Sequence, residues 1–354
     1  MNLRTPAPLS VPAAWKAANF VEDFSWIHQF SPQQLDELRL AISKWRTGLH
    51  FSEIQSPERF LPSFLPLAKQ IIETLATRGF VLLRGLPVHE MSDEDTACAY
   101  WAIGQLLGTG TTQNARAELV CPVTNADVDF GYSGSASQRN VRGYMSNADL
   151  NYHCDPTDVV GLLCLRKAKA GGESTIVSTT SIYNRILAQH PEHLPALLRG
   201  FRYDRKGEEL SGEEPITPRI PVFVPHKDRV SCRYARSYIL GGADKSKIPL
   251  TASERAAIDC FDTVARDEEL VLKMAFEPGD IQLLNNFTTV HGRTAYEDHP
   301  EVEQRRLLYR LWLHLGGERP WSDESDVMRY AFARFGNLGL SAQEWKRRTT
   351  QIES

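Results

Sequence analysis

The sequence predicts a mostly β chain, with a jelly-roll or barrel core decorated by helices. Three observations carry that expectation. Short apolar runs recur along the second half, at 159–165, 174–178, 220–224, 229–240, 271–276, 281–285 and 306–315, with turn residues between them. Helical patterns gather in the first 110 residues and in two inserts, at about 180–199 and 251–266. No internal repeat and no linker divides the 354 residues, so one elaborated domain is expected, with residues 1–78 as a helical N-terminal extension packed on a core of 79–354.

The N-terminal elements are well punctuated. Ser31-Pro32-Gln33-Gln34 offers an N-cap, a proline at the first helical position and a capping-box glutamine, and the helix should run to about Thr47. A second helix is expected from about Leu61 to Arg78, stopped by Gly79. The apolar run Phe80-Val81-Leu82-Leu83 between Gly79 and Gly85 suits a buried strand. Ser92 with Asp95 opens a third helix that ends at Gly108. Residues 126–140 are rich in Gly, Ser and Asp, which marks a long loop of the kind that serves a site, and 126–145 is expected to close over substrate. In the later insert, Thr251 and Glu254 form a second capping box.

Composition narrows the function. Hydrophobic residues at 42% and charged residues at 24% are globular values. A net charge of -4 argues against a nucleic-acid binder that relies on bulk charge. No apolar run is long enough for a membrane span, and the first residues lack a signal core. Six scattered cysteines without a CxxC pair suit reduced thiols, so a cytoplasmic location is expected. Oligomeric state is not legible.

The chemistry lies in two segments. His153-Cys154-Asp155 is an HxD triplet, and on an extended strand residues i and i+2 share a face, so imidazole and carboxylate can converge on one metal. Two imidazoles and one carboxylate with open positions form the facial arrangement of non-haem Fe(II) oxygenases. Chance supplies about 0.5 such triplets in a chain of this composition, and a second one, His226-Lys227-Asp228, reads as a hairpin turn. His153 instead leaves the Gly/Ser-rich loop just before an apolar strand. Further on, His291-Gly292-Arg293 follows the strand Ile281–Asn285, and then comes Arg305-Arg306-Leu307-Leu308-Tyr309-Arg310. Alternation places Arg306, Leu308 and Arg310 on one face and Arg305, Leu307 and Tyr309 on the other. A buried arginine fork on an apolar strand calls for an anion, and a carboxylate fits it.

In these residues the chain resembles the taurine dioxygenase (TauD/TfdA) family of Fe(II)- and 2-oxoglutarate-dependent dioxygenases, relatives of clavaminate synthase. The family's HxD falls on His153 and Asp155, its distal histidine on His291 and its arginine strand on Arg305-Arg306 and Arg310. Its GGDT or GGES string appears as Gly171-Gly172-Glu173-Ser174. The resemblance spans about Gly79 to Leu315. It implies a double-stranded β-helix in which His153, Asp155 and His291 bind Fe(II). Arg306 and the hydroxyl of Ser174, or of Thr175 if the register shifts by one, would hold 2-oxoglutarate. O2 would then support oxidation of a C–H bond in a small metabolite, by hydroxylation or else by desaturation or cyclisation, with release of succinate and CO2. Asp155 disfavours halogenation, because related halogenases lack that carboxylate.

Blander roles stand beside these. His153 and His291 taken singly suit buried structural histidines. Arg310 suits co-substrate, substrate or a structural carboxylate equally. Asp149 and Asn151 share the His153 face if the segment is extended and then approach substrate; a turn role suits Asp149 as well. Arg233 and Arg236 are expected on a solvated strand face, an anionic substrate being the lesser reading. His299 should be surface, and Cys154 and Cys164 packing residues. Residues 131–137 do not meet the GxSxG spacing of a hydrolase elbow. A His2Asp zinc hydrolase leaves the paired arginines unexplained, and a non-catalytic, cupin-like metal- or ligand-binding protein is the alternative of another class. The substrate is expected to be small and to bear a carboxylate or an amine.

Overall fold

The computed structural model describes residues 8–45, 51–54, 56–114, 118–125, 143–206, 214–226 and 228–315. Its helices are α1 (Pro32–Trp45), α2 (Phe64–Thr77), α3 (Asp93–Leu107), α4 (Thr179–Gln189), α5 (Leu194–Arg199), α6 (Arg236–Ser246) and α7 (Ala252–Ala265). The strands before the first insert are β1 (Ile27–Gln29), β2 (Phe80–Arg84), β3 (Thr109–Thr111), β4 (Val120–Val123), β5 (Leu150–His153), β6 (Val159–Arg166), β7 (Ala170–Gly171) and β8 (Ser174–Ser178). After it come β9 (Phe223–His226), β10 (Arg229–Cys232), β11 (Leu272–Met274), β12 (Ile281–Asn285), β13 (Thr289–Arg293), β14 (Tyr296–Glu297) and β15 (Leu307–His314).

The larger sheet has the order β1-β2-β12-β6-β15-β3, with β4 also on β15, and the smaller the order β11-β8-β13-β5. All pairs are antiparallel except β1 with β2. Period-2 alternation on the larger sheet divides its side chains between two environments. Val81, Leu83, Val159, Leu163, Ile281, Leu283, Leu311 and Leu313 pack with α1, α2 and α3 on its outer face. Leu82, Val160, Cys164, Leu284, Leu308 and Trp312 point inward and meet Ile176 and Met274 of the smaller sheet. The smaller sheet buries its other face, through Val177 and Val290, against α4, α5 and α7. Two sheets thus face each other, each backed by helices, in a jelly roll rather than a closed barrel. The space between them, where not filled by apolar side chains, is the site.

Local signals work as their chemistry requires. Ser31 N–H donates to Gln34 Oε1 (2.9 Å) and Gln34 N–H to Ser31 Oγ (3.3 Å). Thr251 and Glu254 exchange the same pair of bonds at 3.0 and 3.2 Å. Gly79 takes φ +94°, and a Cβ there would lie 2.6 Å from Thr288 Oγ1, so only glycine turns α2 into β2.

Three expectations change. The run 229–240 is not one strand: β10 ends at Cys232 and α6 begins at Arg236. Alternation of Val230, Cys232 and Tyr234 holds as far as Ala235, whose carbonyl then accepts from both Tyr238 and Ile239 N–H and turns the chain into a helix. The strand expected at 220–224 lies at Phe223–His226, past Pro221, which has no N–H for a ladder. The N-terminal region also supplies a strand, β1, at the edge of the larger sheet. Residues 126–142, most of the expected closing loop, and the string 131–137 lie outside the described residues. No described helix is long and apolar enough to cross a membrane.

Candidate active site

Strand pairing builds the site. β13 lies beside β5 with His291 directly opposite His153. Their rings are 4.3 Å apart between centroids and tilted by 45°. The chain leaves β5 after His153, and Asp155 N–H donates to Asn286 Oδ1 (3.0 Å), which turns the carboxylate back toward the imidazoles. Tyr152 and Cys154 point the other way, into the core behind the smaller sheet. Asp155 Oδ1 is 3.9 Å from His153 Nε2, and Asp155 Oδ2 is 3.8 Å from His291 Nε2. These gaps are too long for hydrogen bonds and close to two metal–ligand bonds of about 2.0–2.2 Å each.

Protonation suits ligation. His153 Nδ1 lies 2.9 Å from the Asn151 carbonyl, so Nδ1–H donates there and leaves the Nε2 lone pair facing Asp155. Burial lowers the pKa of His153; burial and the neighbouring His153 push His291 down to about 3. Both imidazoles are therefore neutral near pH 7. Burial works against ionisation of Asp155, but Arg310, then the two histidines and Trp312, outweigh it and hold the carboxyl at about 2. Trp312 Nε1–H donates to Asp155 Oδ2 (3.2 Å), and Arg310 Nη1 lies 3.6 Å from Oδ1. His291 Nδ1 is buried with no hydrogen-bond partner among the described residues. Two neutral imidazoles and one ionised carboxylate within 4.8 Å of one another fit a divalent iron.

The same cavity continues to Arg306. This guanidinium is 5% exposed and its Nη1 has no hydrogen-bond partner among the described residues. Burial lowers its pKa, the expected sign for a cation held in an apolar site. Its position is set from three sides. Arg306 N–H donates to Asp298 Oδ1 (2.7 Å), the guanidinium lies 5.1 Å over the Tyr296 ring, and Gly172 packs against it. A Cβ on Gly172 would come within 3.1 Å of Arg306 Nε, and Gly171 and Gly172 both hold positive φ (+72° and +74°). The glycines of the GGES string thus make the turn and admit the arginine. Ser174 lines the cavity, and its Oγ donates to Gln282 Oε1 (3.1 Å). Thr175, one residue on, faces the opposite side beside Tyr152 and Gly292.

The remaining expected residues divide. Arg310 lines the cavity with Arg306 and Leu308, as alternation predicts, but donates from Nε to Gln113 Oε1 (2.7 Å) and sits next to Asp155. Asn151 lines the cavity while its side-chain oxygen accepts from Arg266. Asp149 precedes β5, is exposed, and lies 4.0 Å from Arg266, outside the cavity lining. His226 is the last residue of β9, opposite Arg229 of β10. Cys154 and Cys164 are buried packing residues.

Sequence reasoning missed Trp312 as a partner of Asp155, and misplaced Arg233. Arg233 is 4% exposed, lines the cavity and donates from Nη1 to the Cys154 carbonyl (2.9 Å). Arg236 lies at the start of α6 and pairs with Asp259 and Asp262 (2.7 and 2.8 Å). Neither is on a solvated strand face. Val230, Cys232 and Tyr234 turn to the apolar core, and Arg233 between them faces the cavity instead of water.

Known proteins share this fold and parts of this sequence. The chain is 30% identical over 328 residues to FR-33289 synthase of Streptomyces rubellomurinus, covering 91% of this chain and 95% of that protein. It is 26% identical over 322 residues to the taurine hydroxylase-like protein SAT17 of Stachybotrys chartarum, covering 87% and 80%. Among solved structures, asparagine oxygenase in complex with Fe(II), 2S,3S-3-hydroxyasparagine and succinate superposes with a TM-score of 0.63 at 17% identity, covering 82% of this chain and 94% of that one. The non-heme iron oxygenase OrfP in complex with Fe and alpha-ketoglutaric acid gives 0.58 at 14% identity, with the same coverage. The profile of one family, described as taurine catabolism dioxygenase TauD, TfdA, matches residues 52–312, a span that holds the metal triad, the glycine string and both cavity arginines, and to that family this chain belongs.

Proposed function

We propose that His153, Asp155 and His291 hold the Fe(II) of this Fe(II)- and 2-oxoglutarate-dependent dioxygenase, that Arg306 and Ser174 hold its co-substrate, and that it hydroxylates a C–H bond of a small metabolite. With Fe(II), 2-oxoglutarate and O2 bound, such a site couples decarboxylation to succinate and CO2 with oxidation of the substrate. The observation that carries the assignment is one cavity with three converging ligand atoms at one place and a buried arginine with an unpartnered Nη1 at another.

Each residue has a physical task. Asp155 stays ionised and, with two neutral imidazoles, leaves a divalent ion a net positive charge that attracts an anionic chelator. Trp312 and Arg310 hold the two carboxylate oxygens, so that Asp155 cannot swing away. Arg306 offers a planar fork to the distal carboxylate of 2-oxoglutarate, in a pocket whose apolar walls, Leu162, Phe276 and Leu308, exclude water. Ser174 lies on the face that reaches this pocket, which favours it over Thr175 as the hydroxyl partner. Retention of Asp155 supports hydroxylation over halogenation. Asparagine oxygenase and OrfP have been solved with hydroxylated amino acids bound, which supports a small, carboxylate-bearing substrate here.

The test is anaerobic titration followed by exposure to air. The wild-type protein should bind one Fe(II) per chain, then 2-oxoglutarate only when iron is present, and release succinate slowly once O2 is admitted. Iron binding without any 2-oxoglutarate binding would overturn the reading in favour of a metal-holding protein without turnover.

A further inference from the structure

We propose that Gln282 is a positioning residue that governs the hydroxyl proton of Ser174, withholding it from the co-substrate until the Gln282 amide turns over. This rests on the placement of 2-oxoglutarate at Arg306 and Ser174 proposed above, and deepens it by naming the group with which the co-substrate competes.

A serine hydroxyl has one proton to donate, and an ionised carboxylate can only accept. In the structure that proton is already engaged. Ser174 Oγ–H donates to Gln282 Oε1 (3.1 Å), inside a core where Ser174 is 3% and Gln282 0% exposed. The other end of the same amide is engaged too, since Gln282 Nε2–H donates to the Met274 sulfur (2.9 Å). Ser174 and Met274 stand directly opposite each other on β8 and β11, and Gln282 reaches them from β12 of the facing sheet. One amide thus spans two neighbours of the smaller sheet, with its acceptor on the hydroxyl and its donor on the sulfur.

The surroundings of Gln282 are otherwise apolar. Its ladder partners are Leu82 on β2 and Leu162 on β6, and Val160, Cys164 and Leu284 lie in the same inter-sheet core. A leucine at 282 would match that surface, but it would leave the Ser174 hydroxyl buried without this partner whenever the co-substrate is absent.

A carboxylate arriving at Ser174 draws the proton off Gln282. With the amide left as it is, two acceptors, Ser174 Oγ and Gln282 Oε1, would face each other with no proton between them. A half-turn of the amide removes that conflict: Nε2–H then donates to Ser174 Oγ, and Ser174 Oγ–H donates to the carboxylate. The terminal torsion of a glutamine is broad and two-fold, so both positions are open to it. The turn has a cost, because Oε1 then faces a thioether sulfur that has no proton to give. The charge-assisted bond to the carboxylate outweighs that cost. Gln282 therefore satisfies the empty pocket and lowers the affinity of the filled one.

The experiment is calorimetric titration of the anaerobic, Fe(II)-loaded protein with 2-oxoglutarate. Ser174→Ala should weaken binding about ten- to hundredfold, the worth of a hydrogen bond to a charged group. Gln282→Leu should instead tighten it about three- to tenfold, the worth of the neutral hydrogen bond that no longer has to be given up. In the Ser174→Ala background the same change should leave the affinity within about 1.5-fold, because the two residues act as one unit. An Fe(II) affinity within about twofold of wild type certifies that each variant is folded. Gln282→Met, unbranched and of similar length, carries the same expectation where the leucine variant does not fold. Unchanged or weakened binding in the folded Gln282 variant, or a tightening that persists without the Ser174 hydroxyl, would overturn the proposal and leave Gln282 as packing alone. A Ser174→Ala protein with wild-type affinity would instead sink the placement of the co-substrate on which it rests.

Discussion

Two arginines in one cavity, Arg306 and Arg233, are buried to nearly the same degree, at 5% and 4% exposure, yet they reach it by different routes. Arg306 stands just before β15, on the face that alternation assigns, between Gly172 and the ring of Tyr296. Arg233 stands just past β10, where the chain has left its strand and is turning into α6. The end of the cavity at Arg306, the proposed co-substrate end, is built from core strands, and the end at Arg233 from the turn between β10 and α6. A core strand cannot change without disturbing the register of its sheet, whereas an insert can change its side chains freely.

Removal of the proposed metal triad has the largest expected effect. His153→Ala or His291→Ala should abolish stoichiometric Fe(II) binding in a protein whose circular dichroism is unchanged, because two ligands do not hold iron against water. His226→Ala, in the competing HxD triplet, should leave iron binding intact. Iron retained in full by both of the first two variants would show that the triad is misplaced.

Next in size is the co-substrate end. Arg306→Ala removes the fork from a buried anion, a change that typically costs about 2–5 kcal/mol, or roughly thirty- to several-thousand-fold in affinity. The KM for 2-oxoglutarate should rise by that factor while Fe(II) affinity stays constant. Arg306→Lys keeps the charge without the planar fork and should fall between. Arg305→Ala, on the opposite side, should change KM little. Equal effects at 305 and 306 would remove the contrast between the two faces of β15.

Trp312→Phe probes the support of the triad rather than the triad. It keeps the ring but deletes the Nε1–H that donates to Asp155 (3.2 Å). Loss of such a ligand-orienting bond typically costs about 10–100-fold in metal affinity. Iron affinity should drop by that amount with the KM for 2-oxoglutarate changed far less. An unchanged iron affinity would mean that Arg310 alone holds the carboxylate.

How much of this was legible follows from the same contrast. The helices at 31–47, 61–78 and 92–108 announced themselves because caps and glycines act locally, and the arginine strand because period 2 survives wherever one face is buried. Arg233 did not. It was expected on a solvated strand face, and a single sequence does not say whether the face opposite an apolar one meets water or the inside of the protein. Trp312 was equally silent, since an indole inside an apolar strand carries no sign that its N–H finds a carboxylate 157 residues away. Asp149 failed for the opposite reason: its sharing a face with His153 required an extended segment, and β5 begins one residue too late.

The smallest expected effect is on iron affinity as pH falls, and it separates a buried triad from an exposed one. In the unfolded chain both histidines titrate near 6.5; in the folded protein burial lowers both, His291 to about 3. Between those values the unfolded chain binds more protons than the folded one, so stability without iron is complete above about pH 6.5 and declines as pH drops below it. The slope is about 1.4 kcal/mol per pH unit for each fully shifted group. Within the folded protein, however, protons do not compete for the His291 Nε2 lone pair until about pH 3, burial shifts the competition at His153 downward as well, and Asp155 stays ionised to about 2. The Fe(II) affinity of the folded, anaerobic protein should therefore be flat from pH 7.5 to 5.5, while its denaturation midpoint in the absence of iron moves downward over the lower half of that range. Parallel titrations of iron binding and urea unfolding measure both. An affinity that falls about tenfold per pH unit below 6.5 would mean that the imidazoles are open to solvent, and that the ligand end of the cavity is less enclosed than the arginine ends.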